Sequence, residues 1–120
     1  MRILIVDDSK AMRMIVSRVL RQAGYDASTF EEAANGVEAL SAIRATEPDL
    51  ILSDWNMPEM TGIELLKALR ADGRATPFGF VTSESTPDMK EQAIAAGAQF
   101  VINKPFNAAA FEEVISSVVG

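Results

Sequence analysis

The chain has 120 residues, 48% of them hydrophobic and 23% charged, which is typical of one globular domain spanning residues 1–120. Its net charge of −6 argues against direct binding of nucleic acid, and no apolar run approaches the about 20 residues that cross a bilayer. The lack of cysteine and histidine excludes disulfides, thiolate metal sites and histidine-based catalysis. We therefore expect a cytoplasmic protein whose chemistry depends on carboxylates, hydroxyls and lysine.

Two β-α units are predicted in the first part of the chain. An apolar run at residues 3–6 predicts a strand, and the amphipathic segment after it predicts a helix between a cap at Ser9 and a stop at Gly24. A second strand is predicted at residues 27–30, and a helix follows it at residues 32–45.

Three further β-α units follow in the rest of the chain. Their strands are predicted at residues 50–52, 78–81 and 100–102, and their helices at residues 60–71, from near Pro87 to Gly97, and at residues 108–119. Five such units in succession predict an α/β fold, in which helices cover both faces of a doubly wound, mostly parallel sheet.

Acidic residues stand at the predicted ends of two strands. Asp7 and Asp8 follow the first strand, and Asp54 follows the third. Ligands of open parallel sheets bind at the carboxyl ends of the strands, so these residues share one crevice if the first and third strands are neighbours. Three carboxylates within ~5 Å would repel one another by roughly 3 kcal/mol per pair at an effective dielectric near 20. A divalent cation would relieve this repulsion, and ligation by oxygen alone indicates Mg²⁺.

Hydroxyl groups and a cation follow the last two strands. Thr82 and Ser83 can donate hydrogen bonds to an anionic oxygen, and Lys104 supplies a positive charge. Together with a metal and a carboxylate nucleophile, these groups form a phosphoryl-transfer site. A carboxylate oxygen would attack phosphorus to give an acyl phosphate, while the cations stabilise charge on the other phosphoryl oxygens.

The motifs resemble the receiver domain of two-component response regulators, and in particular its CheY-like single-domain type. They are Asp7-Asp8, Asp54-Trp55-Asn56-Met57-Pro58 with Gly62, Thr82, and Lys104-Pro105-Phe106. They occur in the family's order and extend over essentially the whole chain. The resemblance implies a flavodoxin-like (CheY-like) sheet of five parallel strands in the order 2-1-3-4-5, which CheY itself exemplifies, with five helices.

The resemblance also implies a magnesium site. Asp8, Asp54 and the main-chain carbonyl of Asn56 would hold Mg²⁺, and Asp7 would act on it directly or through water. The ligand set is therefore Asp7, Asp8, Asp54 and Asn56.

Three residues would carry the chemistry by the same resemblance. Asp54 would be the phosphoacceptor, and Lys104 would pair first with Asp54 and then with the phosphoryl group. Thr82 would move toward the phosphoryl group and pass the change to the fourth and fifth β-α units. The peptide bond between Lys104 and Pro105 is expected to be cis.

The partners follow from the resemblance as well. A sensor histidine kinase or a phosphotransfer protein would phosphorylate Asp54. Four residues of the first helix lie opposite its core stripe and form either an ordinary solvated basic face or, as the family implies, the surface that docks the kinase: Lys10, Met14, Ser17 and Arg21. The signal would leave through an effector such as a flagellar motor switch or an adaptor, as in chemotaxis. Such a protein is a phosphoacceptor rather than an enzyme, because it catalyses only its own phosphorylation and dephosphorylation.

Two other functions use the same fold. A phosphorelay intermediate or phosphate sink would have the same site without an effector of its own. A flavodoxin-like cofactor binder would need a hydroxyl-rich or glycine-rich loop after the first strand. The segment Asp7-Asp8-Ser9-Lys10 disfavours that function, because its acids would repel an anion.

One position departs from the family pattern. Receivers commonly carry an aromatic residue three places before the lysine, where this chain has Val101. Phe100 precedes it, but neighbouring strand residues face opposite sides of a sheet, so Phe100 cannot replace the aromatic switch. Output is then expected to depend on the loop after Thr82 or on the fourth helix. Gly79 predicts a close approach or a bulge in the fourth strand, and Trp55 is interpreted as a hydrophobic lid beside the site.

Overall fold

Five β-strands and five α-helices alternate along residues 1–119, which a computed structural model of the chain describes. The strands are β1 (Arg2–Val6), β2 (Thr29–Ala33), β3 (Leu50–Ser53), β4 (Phe78–Thr82) and β5 (Phe100–Asn103). The helices are α1 (Lys10–Leu20), α2 (Gly36–Ala45), α3 (Gly62–Ala71), α4 (Pro87–Ala96) and α5 (Ala108–Val119), and a π-helical turn (Arg21–Tyr25) follows α1.

The strands form one parallel sheet in the order β2-β1-β3-β4-β5. This confirms the fold class and the strand order that the family resemblance implied. β1 and β3 are neighbours, with Ile3 opposite Leu50 and Val6 opposite Ser53. The reversal of strand order therefore lies between them, and both strands end at the same edge of the sheet.

Each face of the sheet carries its own hydrophobic core. Leu4 and Val6 of β1 pack with side chains of α2, α3 and α4, whereas Ile3 and Ile5 pack with side chains of α1 and α5. Alternate residues of β1 thus point to opposite faces, and the whole strand interior is buried. This explains why β1 is a continuous apolar run rather than an alternating one.

The predicted helix ends are largely confirmed. The Ser9 hydroxyl accepts a hydrogen bond from the Met12 N–H at the start of α1, and Asn107 accepts one from the Ala110 N–H at the start of α5. α4 starts at Pro87 and ends at Gly97, which has φ +107°, the left-handed conformation that glycine adopts without strain. Within residues 1–119, none of the helices has the length and apolar character needed to cross a membrane.

The predicted boundaries around β2 were wrong. The strand spans Thr29–Ala33 instead of residues 27–30, and α2 begins at Gly36 instead of residue 32. Glu31 and Glu32 belong to the strand because β2 lies at the edge of the sheet, where both glutamates form ion pairs with arginines. Their charges had suggested the first turn of a helix.

Two other helix ends also differ from the prediction. α3 begins at Gly62 rather than residue 60, because Thr61 and Glu64 form a capping box that fixes the first turn. The first helix loses its α-helical hydrogen bonding after Leu20, and Gly24 at φ +103° interrupts the π-helical turn that follows. Gly24 is therefore the stop that the sequence predicted, although the last turn before it is not α-helical.

Candidate functional site

The ends of β1 and β3 bring three carboxylates together. The main-chain N–H of Asp7 donates to the carbonyl of Ala33, and that of Asp54 donates to the carbonyl of Val6. These bonds continue the sheet pattern by one residue, so both acids leave the sheet at the same edge. One oxygen each of Asp7, Asp8 and Asp54 lies within 4.8 Å of the others. We call these three residues the acidic cluster.

The three acids differ in exposure and in how they are held. Asp7 is buried, and its two carboxylate oxygens accept hydrogen bonds from the Ser9 N–H at 2.9 Å and from Lys104 Nζ at 3.2 Å. Asp54 is partly buried, and its Oδ1 accepts from the Trp55 N–H at 2.8 Å. Asp8 is exposed. The cluster therefore combines two fixed carboxylates with one that faces solvent.

Lys104 is the cation next to the acidic cluster. Its Nζ lies 3.2 Å from Asp7 Oδ2 and 3.8 Å from Asp54 Oδ2, so it contacts Asp7 more closely than the predicted partner Asp54. The Lys104 N–H donates to the carbonyl of Thr82, and this bond fixes where β5 delivers the lysine. The bond between Lys104 and Pro105 is cis, as the resemblance implied.

The charge on Asp54 is poorly compensated. Burial raises the pKa of the Asp54 carboxyl above its ordinary value, and repulsion from Asp7 adds to the rise, although Lys104 opposes it. The Lys104 ammonium contacts two of the three carboxylates, those of Asp7 and Asp54, and all three are oxygen ligands within reach of one another. Such a donor set fits Mg²⁺, which prefers hard oxygen ligands and usually takes few of them from protein.

The other predicted site residues lie around the acidic cluster. Thr82 is buried at the end of β4, and its hydroxyl accepts a hydrogen bond from the Glu84 N–H at 3.2 Å. Within residues 1–119, the Thr82 hydroxyl makes no hydrogen bond to the acidic cluster. Asn56 is exposed in the loop that follows Asp54.

The loop after Asp54 is closed by Trp55 and Gly62. Trp55 is buried in the hydrophobic core, and its ring packs on Phe80 with the ring centroids 4.7 Å apart. Its interpretation as a lid beside the site stays a prediction. The Gly62 N–H donates to the Trp55 carbonyl, and a Cβ at position 62 would overlap both the Asp54 carbonyl and the Phe80 ring. Glycine is therefore required where the loop returns to the sheet.

Val101, which stands where the family commonly has an aromatic residue, packs as the sequence predicted. Phe100 lies in the core on the α1 and α5 side, whereas Val101 packs on the opposite face. A Cβ at Gly79 would overlap the Phe100 ring, which confirms the close approach predicted there. At the end of β5, Asn103 accepts a hydrogen bond from the Ser85 hydroxyl of the β4–α4 loop.

Sequence reasoning missed one residue at the site. Nη1 of Arg13 donates to the main-chain carbonyl of Asp7 at 2.6 Å, and Nε donates to Glu32 at 2.8 Å. Arg13 was not among the residues that the sequence analysis singled out. Nothing in the local sequence distinguishes it from the neighbouring arginines of this helix, because its contacts depend on how α1, β1 and β2 meet.

Comparisons with known proteins agree with this geometry. The family model described as response regulator receiver domain matches residues 3–116. The chemotaxis protein CheY of Pseudomonas aeruginosa is 41% identical in a match that covers 98% of this chain and 95% of that protein. Chemotaxis protein CheY-3 of Vibrio cholerae is 39% identical and is covered to 91%, again by 98% of this chain.

Solved structures show the same fold. The chemotaxis protein CheY4 of Vibrio cholerae has a TM-score of 0.86 and 39% identity, with coverage of 98% of this chain and 97% of that one. A CheY-like receiver domain protein of Methanospirillum hungatei has a TM-score of 0.87 and 30% identity, with coverage of 98% and 92%. The chain therefore belongs to the response regulator receiver domain family, whose members are signalling proteins of two-component systems.

Proposed function

We propose that Asp54 accepts a phosphoryl group from a phosphohistidine and that the phosphorylated chain signals by binding an effector protein. The observation that carries this proposal is the convergence of the acidic cluster and Lys104 at one edge of the sheet. The phosphodonor would be a sensor histidine kinase or a phosphotransfer protein in the cytoplasm. Membership of the receiver family removes the reason to consider a flavodoxin-like cofactor binder.

The metal site would be built from Asp7, Asp8, Asp54 and the main-chain carbonyl of Asn56. When bound there, Mg²⁺ supplies positive charge that compensates the carboxylates and polarises the phosphoryl oxygens. The acidic cluster supports this assignment because Lys104 compensates its charge only in part.

The hydrogen bonds of Asp54 favour one of its oxygens as the nucleophile. Oδ1 is occupied by the Trp55 N–H, whereas Oδ2 faces Lys104. A lone pair of Oδ2 would form the new bond to phosphorus while the phosphorus–nitrogen bond of the donor breaks. The imidazole keeps that electron pair and takes up a proton from solvent, and the product is the acyl phosphate of Asp54.

Lys104 and Thr82 would stabilise the transferred group. The ammonium of Lys104 would move from its two carboxylate partners to the oxygens of the phosphoryl group, where negative charge accumulates. The hydroxyl of Thr82 can keep accepting from the Glu84 N–H while it donates its own hydrogen to a phosphoryl oxygen.

Phosphorylation with acetyl phosphate tests the proposed acceptor. We expect incorporation that requires MgCl₂ and that is stable to acid but labile to base, as an acyl phosphate is. Asp54→Ala should abolish it, whereas Asp26→Ala, which removes an exposed acid beyond α1, should leave it unchanged. An Asp54→Ala variant that is phosphorylated at the normal rate would refute the proposal.

The output is proposed to be an effector such as a flagellar motor switch or an adaptor, because the relatives reported above are chemotaxis proteins. The exposed residues Lys10 and Met14 of α1 and Arg21 of the π-helical turn would dock the kinase, together with the half-buried Ser17. A phosphate sink would instead return its phosphoryl group to a phosphotransfer protein and bind no effector. Purified motor-switch or adaptor protein should be retained by the chain loaded with beryllofluoride and not by the unloaded chain, and a sink would show no difference.

A further inference from the structure

Arg13 links three elements beside the acidic cluster. It lies in the first turn of α1, and 14% of its side chain is exposed. Nη1 donates to the main-chain carbonyl of Asp7 at the end of β1, at 2.6 Å, and Nε donates to Oε1 of Glu32 in β2, at 2.8 Å. The proposed phosphoryl transfer makes no use of this guanidinium, although it lies next to the metal site.

The contact with Asp7 fixes a peptide plane. The carbonyl of Asp7 belongs to the planar peptide group that joins Asp7 to Asp8. The Asp7 N–H is already held by Ala33, and the Asp7 side chain by Ser9 and Lys104. The hydrogen bond from Arg13 to the Asp7 carbonyl also restricts rotation of the peptide group between Asp7 and Asp8. The orientation of this peptide group determines where the exposed Asp8 carboxylate points.

We propose that Arg13 is a positioning residue of the metal site, which holds the peptide between Asp7 and Asp8 so that Asp8 presents its carboxylate to Mg²⁺. This inference rests on the proposed function, in which the acidic cluster is that site. Glu32 has a supporting role, because its bond to Nε orients the fork of the guanidinium. Arg13 touches neither the phosphoryl group nor the metal in this assignment.

A positioning role and a purely electrostatic role of Arg13 predict opposite changes in Mg²⁺ affinity when Arg13 is replaced. A guanidinium close to a cation site repels the cation, so a purely electrostatic role means that Arg13→Gln strengthens Mg²⁺ binding. A positioning role means that the same variant weakens it, because Asp8 loses its fixed direction. Partners that orient metal ligands typically change metal affinity by about 10–100-fold when they are mutated. We therefore expect Arg13→Gln to raise the Mg²⁺ dissociation constant by about tenfold.

The matched variants separate the contact from the charge. Arg13→Lys keeps the charge but cannot reach both acceptors with one ammonium, and it should recover part of the affinity that Arg13→Gln loses. Arg18→Gln removes the same charge from an exposed position of α1 and should change the dissociation constant by less than about twofold, because distant exposed charges are screened. Glu32→Gln retains an acceptor for Nε and should also stay close to the wild-type affinity.

Titration with MgCl₂ at constant ionic strength, without a phosphodonor, measures these constants through the fluorescence of Trp55, the chain's one tryptophan. Thermal unfolding without metal is measured in parallel. Weaker Mg²⁺ binding in Arg13→Gln, with a melting temperature near that of the wild type, supports the proposal. An unchanged or lower dissociation constant overturns it, and so does a fall in metal-free stability with unchanged affinity.

The outcomes also separate this inference from the proposed function. If the wild-type chain binds Mg²⁺ but Asp54 is not phosphorylated, the proposed function fails and the test of Arg13 stands. If the wild-type chain does not bind Mg²⁺, both the metal site and the role of Arg13 are refuted. Should Arg13→Gln fail to fold, the Mg²⁺ dissociation constant of Arg13→Lys tests the same role. Wild-type affinity in Arg13→Lys would contradict the proposal that the guanidinium must bond both of its acceptors.

Discussion

Asp54 is a residue whose charge is unfavourable in the folded chain. Burial raises the pKa of its carboxyl, and Lys104 offsets only part of this effect. The folded state therefore binds a proton at Asp54 more tightly than the unfolded chain does. At pH values above the pKa that Asp54 has in the folded state, the ionised carboxylate therefore lowers the free energy of unfolding. This destabilisation is lost as the pH falls through that pKa.

Asp54→Asn should therefore stabilise the metal-free protein at pH 7. Removing the charge should raise the free energy of unfolding by about 1–2 kcal/mol, less than the repulsion of one close carboxylate pair because Lys104 compensates part of it. The gain should shrink as the pH falls through the raised pKa of Asp54, since the wild-type carboxyl is then neutral as well. Urea denaturation in EDTA at a series of pH values measures both effects.

Asp72 provides a control, because its pKa is shifted in the opposite direction from that of Asp54. Its hydrogen bond to Arg44 lowers the pKa of the Asp72 carboxyl, so its contribution to stability is present at neutral pH and is lost as the pH falls through the lowered value. Asp72→Asn should therefore lower the stability at pH 7. Loss of stability in Asp54→Asn under the same conditions would contradict the account of the acidic cluster.

The residues that meet at this edge were largely predictable because they directly follow strands. Asp7, Asp54 and Lys104 could be assigned to one crevice once the strand order was known, since the strands deliver them. Arg13 could not be assigned, because its acceptors belong to the end of β1 and to β2, and its contacts depend on how α1 packs against both strands. The closer contact of Lys104 with Asp7 than with Asp54 was also beyond the sequence, since it depends on differences of less than an ångström.

At the scale of elements, β4 and β5 fit together through a glycine and an aromatic ring. Gly79 leaves the space that the Phe100 ring fills, and a Cβ there would overlap the ring. Gly79→Ala should cost about 1–3 kcal/mol, the usual range for overpacking a core. Phe100→Leu opens the same space, so the cost of the double variant should be clearly smaller than the sum of the two single costs.

Phe78 supplies the control for this pair. It is buried next to Gly79 in β4, but neighbouring strand residues point to opposite faces of the sheet. Gly79→Ala and Phe78→Leu should therefore be close to additive in urea denaturation. Additivity in the pair with Phe100 would show that the ring does not occupy the space beside Gly79.

The edge strand β2 shows where the prediction of strands and helices fails. Apolar runs located β1, β3, β4 and β5 because these strands lie inside the sheet or pack against both helical layers. β2 carries Glu31 and Glu32, which pair with Arg2 and Arg13 from other parts of the chain. The sequence near β2 contains no sign of these pairs, so its charges were interpreted as helical.

At the scale of the whole molecule, the order of the strands determines the chemistry. Periodicity predicted five β-α units but could not order them, because parallel strands buried on both faces look alike in sequence. The family resemblance supplied the order, and the structure confirms it. With β1 and β3 as neighbours, folding forces the acidic cluster together, so the stability of the entire domain depends on what compensates that charge.

Mg²⁺ should therefore stabilise the whole domain. A ligand that binds only the folded chain raises the free energy of unfolding by about 2.7 kcal/mol at 100 times its dissociation constant. For a domain of this size, the corresponding rise in melting temperature is roughly 10 °C. Thermal unfolding in MgCl₂ at 100 times the dissociation constant found by titration, with NaCl at matched ionic strength as the control, measures the shift, and EDTA should reverse it. Asp8→Asn should reduce the shift because it removes a proposed ligand whose side chain is exposed. Equal shifts with MgCl₂ and NaCl would refute a specific site.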